Sequence, residues 1–591
     1  MKKILNAHTV LSLCSAFFLF FGCNISSEKT TIETYEENSI EATSANTWEY
    51  DSTKPIYQVD SSVLSLKITN LSAASGKTLY LVKANPSEYS ISNQRTISSV
   101  SSIASSEVLT RTQEENSIQY TDDIEIPQPK YRHFVPSVDL TELQKSITVS
   151  AARSTTNSLS AATQITREVG TTKSIYIDTN WDGNDLCDYA TSSATLRAVG
   201  TYCNVWVVDK YYESSVAKNN KVNSEIAQNL AEKFDLIYPY ITNVFGDESN
   251  ELSNVDSNLT KIDMGTYSDT GTYINIVIYD IGADYKSEST SGVVGYFYAK
   301  DYYYTKSSNR KDIYGTSNIG KYFYVDSAYA VDEFNIVVST LAHEFQHMVN
   351  YNQKNILHSK SPSTQYNEML SMLCEDMMQE KLGLDDEDSP KNRLQYFNAY
   401  YYLSGLTEYN SSYATCSYSN SYAFGTWLCR QYGGAALAKE MSTNEYVNNE
   451  SIVAAVNTIN ETSYTFDDLF MQFLLALTGS STYTFNQDAA QTISYGTDGY
   501  KYPMNAINLW SEDYSLAGTD YAKNNKKSAY SNYNFFGPML FSYKSTSVSA
   551  LRPQYGFSLH GVTKILSSYT TKTVKFSNSG SSDLVMYLII Q

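Results

Sequence analysis

Two histidines four residues apart, with a glutamate directly after the first, are the residues best suited to chemistry: His343, Glu344 and His347 in the stretch His-Glu-Phe-Gln-His. On a helix such residues lie one above the other, so both imidazoles can be offered to one metal ion while the glutamate approaches a metal-bound water from the side. That is the arrangement of zinc-dependent hydrolysis, with Glu344 as general base. The flanking sequence predicts the helix. Phe334, Val337, Val338, Leu341, Phe345 and Met348 recur at three- and four-residue steps as an apolar stripe. His343 and His347 lie off that stripe, facing a cleft while the stripe enters the core. Asp332 and Glu333 fall in the first turn, at the positive end of the helix dipole.

A hydrolytic zinc needs three protein ligands and one open position. The glycine and third histidine of the HExxHxxGxxH pattern are replaced by Asn350 and Gln353, which excludes that class. Glu368 is the strongest candidate. It follows His347 by twenty-one positions, on a second amphipathic segment ending at Gly383, a gap that fits a loop between two packed helices. His358 in the connecting stretch and Glu375 further along the second helix are the competing ligands.

The segments HEFQHMVNYNQ and NEMLSMLCED resemble the hyicolysin family of secreted bacterial zinc metallopeptidases, within the thermolysin-like gluzincin group. The resemblance is dense over about 330–385, extends from about 172 onward, and says nothing about residues 24–170. It implies Zn2+ held by His343, His347 and Glu368, with Glu344 as base. Hydrolysis of this kind also uses an oxyanion donor, usually Tyr or His, and among the many tyrosines Tyr413 and Tyr422 follow the metal helices. One position departs. The thermolysin pattern has an Asp four residues after the ligand Glu to orient a histidine, whereas this chain has Met372, leaving Glu375 or Asp376 to make that bond.

A second pattern is weaker. Asp178, Asn180, Asp182 and Asn184 alternate around Gly183 as calcium-loop oxygens do, but Tyr189 occupies the twelfth position where a bidentate acid belongs, with Asp188 beside it. A structural Ca2+ competes here with an ordinary polar surface turn. Beyond Cys23, the cysteines are Cys187, Cys203, Cys374, Cys416 and Cys429, an odd number with no CxxC spacing. Cys187 and Cys203 form the expected disulfide of an oxidising compartment. His8, His133 and His560 are isolated and read as structural or surface residues.

The start of the chain gives an address. Lys2 and Lys3 precede an apolar run from Val10 to Phe21, too short to span a bilayer, and Gly22-Cys23 closes it. The closing residues resemble a bacterial lipobox, although Phe20 and Phe21 depart from its usual residues. The resemblance implies export and a lipid anchor on Cys23 at the cell envelope. Acidic residues outnumber basic ones 63 to 43, and the net charge of -20 argues against nucleic acid as a partner.

The elements around the zinc motif read as α+β: a gluzincin-type catalytic domain flanked by β-rich domains. Strand patterns at 174–177, 203–208 and 274–279 and a helix over 221–244 precede a mostly helical stretch from 334 to 479. Thr465 with Asp468 caps a helix there, and Gly479 stops it. Residues 63–82 alternate about a Ser/Gly break as a hairpin, and the last twenty residues form two strand patterns about Asn-Ser-Gly. The expected organisation is a lipoprotein-type signal over 1–22, a flexible tether over 23–60, an N-terminal β-rich domain and linker over 61–165, the peptidase domain over 166–480, and a C-terminal β-rich domain over 481–591. The function expected is an exported zinc endopeptidase acting on extracellular proteins or peptides. An exopeptidase, or a surface adhesin carrying an inactive peptidase domain, is the alternative.

Overall fold

The computed structural model of the chain describes residues 46–92, 95–104, 132–134, 160–181, 186–187, 189–286, 292–306, 312–495, 498–515, 537–544 and 548–591. Residues 1–45, which hold the expected signal segment, Cys23 and most of the expected tether, lie outside them.

A mixed seven-stranded sheet carries the site. Its strands are β1 (Arg132–Phe134), β2 (Thr172–Ile177), β3 (Ala190–Val199), β4 (Cys203–Val208), β5 (Ile274–Tyr279), β6 (Val293–Phe297) and β7 (Lys321–Asp326), in the order β1-β6-β7-β5-β4-β3-β2. The central strands β4, β5 and β7 are parallel and buried at every residue, so they read as continuous apolar or aromatic runs rather than as alternation. β6 runs antiparallel to β7, with Gly295 opposite Val325 and Phe297 opposite Phe323.

Helix α1 (Ser224–Phe245) connects β4 to β5 and packs with α2 (Phe334–Asn350) on one face of this sheet. The contact is aromatic: Phe234 meets Phe345 edge-on at 5.1 Å and Phe323 at 5.7 Å. The stripe expected on α2 is therefore the face that enters the core. Asp332 and Glu333 precede the helix rather than sit in its first turn. On the other face of the sheet, Trp206, Tyr279, Tyr296, Tyr322 and Tyr324 form a second apolar layer.

α3 (Thr364–Leu382) lies across α2. Ser363 caps its first turn by accepting from the Tyr366 N–H, and Gly383 ends it in the left-handed region at φ 74°. α4 (Ala414–Tyr432) covers α3 and comes so close that a Cβ on Gly425 would sit 2.6 Å from Met369 Cγ. Helices at Gly434–Thr443, Asn448–Asn460 and Phe466–Leu477 complete the layer. The last has the expected Thr465–Asp468 capping box, with Gly479 at φ 91° beyond its end.

Two further sheets form a β-sandwich from both ends of the chain. In the first, Ser65–Thr69 lies between Thr47–Glu49 and Tyr569–Phe576, which in turn pairs with Ile97–Ala104. In the second, Thr78–Asn85 is flanked by Gly556–Lys564 and Val585–Ile590, and the latter pairs with Ile56–Val59. The β-rich segments at opposite ends of the sequence thus pair with each other. Within the tether expected over 23–60, Thr47–Glu49 and Ile56–Val59 are strands.

The hairpin expected over 63–82 is corrected, and the two C-terminal strands, expected about an Asn-Ser-Gly turn, are both present but do not pair with each other. Ser65–Thr69 and Thr78–Asn85 belong to different sheets, as do Tyr569–Phe576 and Val585–Ile590. Alternation fixes which face of a strand is buried but not which strand lies beside it. The chain is α+β, as expected. No helix among the described residues is long and apolar enough to cross a membrane.

Candidate metal centre

One turn of α2 separates His343 from His347, and their rings lie 4.7 Å apart at 80°. From α3, Glu368 meets both: Oε2 is 3.2 Å from His343 Nε2 and Oε1 is 3.7 Å from His347 Nε2. One ligand atom from each of the three residues falls within 4.8 Å of the other two, and all three side chains are buried. Neither carboxylate oxygen of Glu368 takes a well-formed hydrogen bond. A buried carboxylate without donors is costly unless a cation satisfies it. Two imidazoles and one carboxylate, converging in a water-poor pocket, are the donor set that suits zinc. The residues fit the ion.

The next layer fixes their orientation. Glu375 Oε1 lies 2.7 Å from His343 Nδ1, and Ser339 Oγ donates to Glu375 Oε2 at 2.6 Å. Ser371 Oγ is 3.0 Å from His347 Nδ1 and donates to Gln346 Oε1. Anchoring each ring through Nδ1 leaves Nε2 for a metal. Burial alone would strip the proton from His343, but Glu375 and Glu368 hold its pKa up to about 10. The two carboxylates beside His343 leave a local shortage of positive charge that a divalent cation would fill. Burial, together with protonated His343, drives His347 well below the ordinary imidazole value.

Glu344 is fully buried between α2 and β6. Burial raises its carboxyl to about 8; His343 opposes the shift, Glu368 and Glu375 reinforce it, and the Phe297 backbone N–H donates to it. β6 approaches closely because residue 295 is glycine. A Cβ there would lie 2.6 Å from Thr340 Cγ2, 3.0 Å from the Tyr324 carbonyl oxygen and 3.4 Å from Glu344 Cγ.

Comparison with known proteins bears on this geometry. The family model for peptidase M30 matches residues 188–509, more than half of the 591-residue chain, and takes in α2, α3 and β6. The chain belongs to the M30 peptidase family. The hyicolysin-family resemblance seen in the sequence is thereby borne out. Among curated proteins, the neutral metalloprotease ShpI of Staphylococcus hyicus is 28% identical over 300 residues, which is 48% of this chain and 58% of the relative. The chain thus spans somewhat over half the length of the relative it matches.

Within this M30 chain the competing ligands fall outside the cluster. His358 is not among the converging groups, and Glu375 supports His343 instead. Asp376, the other substitute considered for the missing partner at Met372, accepts from Thr426 and Arg430 on α4. Tyr413 is exposed, and Tyr422 is buried where Asp376 and Arg430, not Glu344 or Glu368, act on its hydroxyl. Tyr418, one turn earlier on α4, lies within electrostatic reach of both glutamates. Burial raises its hydroxyl well above the usual value, and Glu368 and Glu344 add to the shift. Sequence spacing missed Ser339, Ser371 and Tyr418. Ser371 follows Glu368 by three residues on one helix and was findable; Tyr418 reaches the site only through packing.

The remaining candidates resolve differently. Cys203 is a free, buried thiol on β4, so the expected disulfide with Cys187 is not formed; its sulfur points into the layer under Ala231 of α1. The Ca2+ reading finds no support. Asp178 accepts from the Tyr279 hydroxyl and the Gly282 N–H, and burial pushes its carboxyl up to about 7, which disfavours a metal-ligating carboxylate. Residues 182–185 and 188 of that stretch lie outside the described residues, as does His8. His560 is buried in the sandwich, bonded to Ser558 Oγ and the Ser542 carbonyl.

Proposed function

We propose that the chain is a zinc-dependent endopeptidase with a gluzincin-type catalytic domain, in which His343, His347 and Glu368 hold the metal and Glu344 is the general base. The observation that carries this reading is the convergence of the three buried ligand atoms with both imidazoles anchored through Nδ1. Zinc, when bound, polarises a water and the scissile carbonyl and lowers the barrier to attack. Glu344 takes the proton from the attacking water and delivers it to the leaving amine. Its burial suits both steps, since a carboxyl pushed towards neutral pH gives a proton back as readily as it accepts one. Glu375 and Ser371 keep the imidazoles from rotating away. Tyr418 donates to the oxygen on which negative charge develops.

The complete ligand set and its intact second layer favour turnover over the adhesin reading, since a site retained only as scaffold has no use for a buried, unsatisfied Glu368. Protein or peptide substrates follow from the peptidase family. The basic and apolar N-terminal residues ending at Cys23 support export and a lipid anchor. For the domains, a catalytic unit from about 166 to about 515 fits better than one ending at 480. The family match runs to 509, and the hairpin of Gln491–Tyr495 and Asp498–Tyr502 packs on α1 through Tyr240, which stacks on Tyr500 at 4.1 Å.

The test is hydrolysis of casein and a peptide library by the full chain, with and without a zinc chelator, beside Glu344→Gln. Chelator-sensitive cleavage that falls about 10²–10⁴-fold in the variant, with stoichiometric zinc in both proteins, is the expected result. Equal inertness of both proteins with zinc bound overturns it.

A further inference from the structure

Residues 404–409, just before α4, are gripped by residues 552–555, the loop that leads into the sandwich strand Gly556–Lys564. The Leu406 N–H donates to the Tyr555 carbonyl at 3.4 Å and the Thr407 N–H to the Gln554 carbonyl at 3.2 Å. Arg552 forks onto Glu408: Nε donates to Oε2 at 3.1 Å and Nη2 to Oε1, while Oε2 also accepts from the Gly405 N–H at 2.9 Å. Residue 405 has to be glycine for this fit, because a Cβ there would overlap the Pro553 carbonyl oxygen. Gln554 and Tyr555 take left-handed φ of 53° and 65°, a cost that residues other than glycine bear only where their surroundings impose it. A forked, partly buried ion pair beside strained backbone fixes the loop in one geometry.

What the grip holds in place is Tyr409, the neighbour of Glu408. Its ring is 39% exposed and meets the ring of Tyr418 at 6.1 Å and 81°. Tyr418 is 5% exposed, carries the Arg393 guanidinium over its ring at 4.7 Å, and lies within electrostatic reach of Glu344 and Glu368. Going outward from the two glutamates, Tyr418 is the buried ring and Tyr409 the one that meets solvent. A phenol in that place offers a flat apolar surface to the side chain of a peptide held at the metal, and with two side-chain torsions it loses little entropy in doing so.

We propose that Tyr409 is a substrate-selecting ring of the peptidase, favouring peptides with an aromatic or large aliphatic side chain near the scissile bond, and that Arg552 positions it from the sandwich through Glu408. This rests on the peptidase reading above and deepens it, naming a substrate class and giving the sandwich a part in recognition.

The test measures binding of fluorescein-labelled peptides by the full chain carrying Glu344→Gln, in excess zinc, so that nothing is cleaved: hexaglycine, and hexapeptides of glycine with one phenylalanine at each position in turn. The best phenylalanyl peptide binds about tenfold or more tighter than hexaglycine. Tyr409→Phe keeps that ratio, and Tyr409→Ala brings it to about twofold or less. Arg552→Ala lowers it about fivefold in the parent chain and no further in the Tyr409→Ala chain, the mark of a residue that acts through the ring. Arg552→Lys, which keeps the charge without the fork, falls between. A parent chain without the preference, or a Tyr409→Ala chain that retains it, overturns the proposal. A loss from Arg552→Ala that is the same in both backgrounds overturns the positioning role. If Arg552→Ala loses its cooperative melt, Glu408→Gln gives the same comparison. Hydrolysis of the best peptide by the native chain is read separately. No chelator-sensitive cleavage with the preference intact defeats the peptidase reading and leaves the selecting ring, whereas cleavage with a preference indifferent to Tyr409 does the reverse.

Discussion

At the scale of single residues, the site is an inner set of groups whose freedom is removed by an outer one. Glu375→Gln keeps the shape of the side chain and removes the charge facing His343 Nδ1. Zinc affinity should fall about 10–100-fold in a competition titration, with the fold unchanged by circular dichroism. An unaltered affinity would show that Glu375 is a bystander. Tyr418→Phe should lower kcat about 10²-fold at nearly constant KM, the pattern of a donor that acts only in the transition state. An equal loss in Tyr422→Phe would return the role to the earlier candidate. His343, Glu344 and His347 were legible because one helix sets their spacing, and Glu368 because a second helix follows at a workable distance. The support of His343 by Glu375 was open beside Asp376. What decided it was Arg430, which reaches Asp376 from a third helix and claims it.

The elements show where patterning stops informing. The stripe on α2 specified its buried face correctly, yet the histidine face is buried as well, at 0% for His343 and 3% for His347, because α3 lies across it. A helix clamped between a sheet and another helix has no exposed face, and its sequence signals only the more apolar of two interiors. The clamp depends on Gly295. Gly295→Ala should destabilise the fold by about 1–3 kcal/mol, as overpacking does, and Thr340→Ser in the same chain should recover part of that by removing the methyl at 2.6 Å. Thermal unfolding of the three chains measures this. A fully additive double variant would mean that the backbone oxygen of Tyr324, not Thr340, sets the limit.

For the whole molecule, the sandwich sets an acid limit on stability. Burial first, and Lys83 second, lower His560 to about 3 from 6.5. A folded pKa below the unfolded one means that the unfolded chain binds the proton first as pH falls. The neutral ring therefore contributes fully above about pH 6.5, and stability is lost at about 1.4 kcal/mol per unit from there towards pH 3. Between pH 6.5 and 4.5 the native chain should lose about 2–3 kcal/mol more than His560→Gln in urea titrations. Parallel losses would place the acid sensitivity elsewhere. Strands at both ends of the chain were legible from alternation, but their partners were not, since a pairing across nearly five hundred residues leaves no local trace. That pairing orders events in time. Thr78–Asn85 is made long before Gly556–Lys564 and Val585–Ile590, between which it lies. Its edges stay bare throughout synthesis of everything between, so the catalytic portion can assemble while the two sheets that bracket it cannot. A chain emerging from a ribosome or a membrane channel completes the first of its folds only after the last of its strands is out.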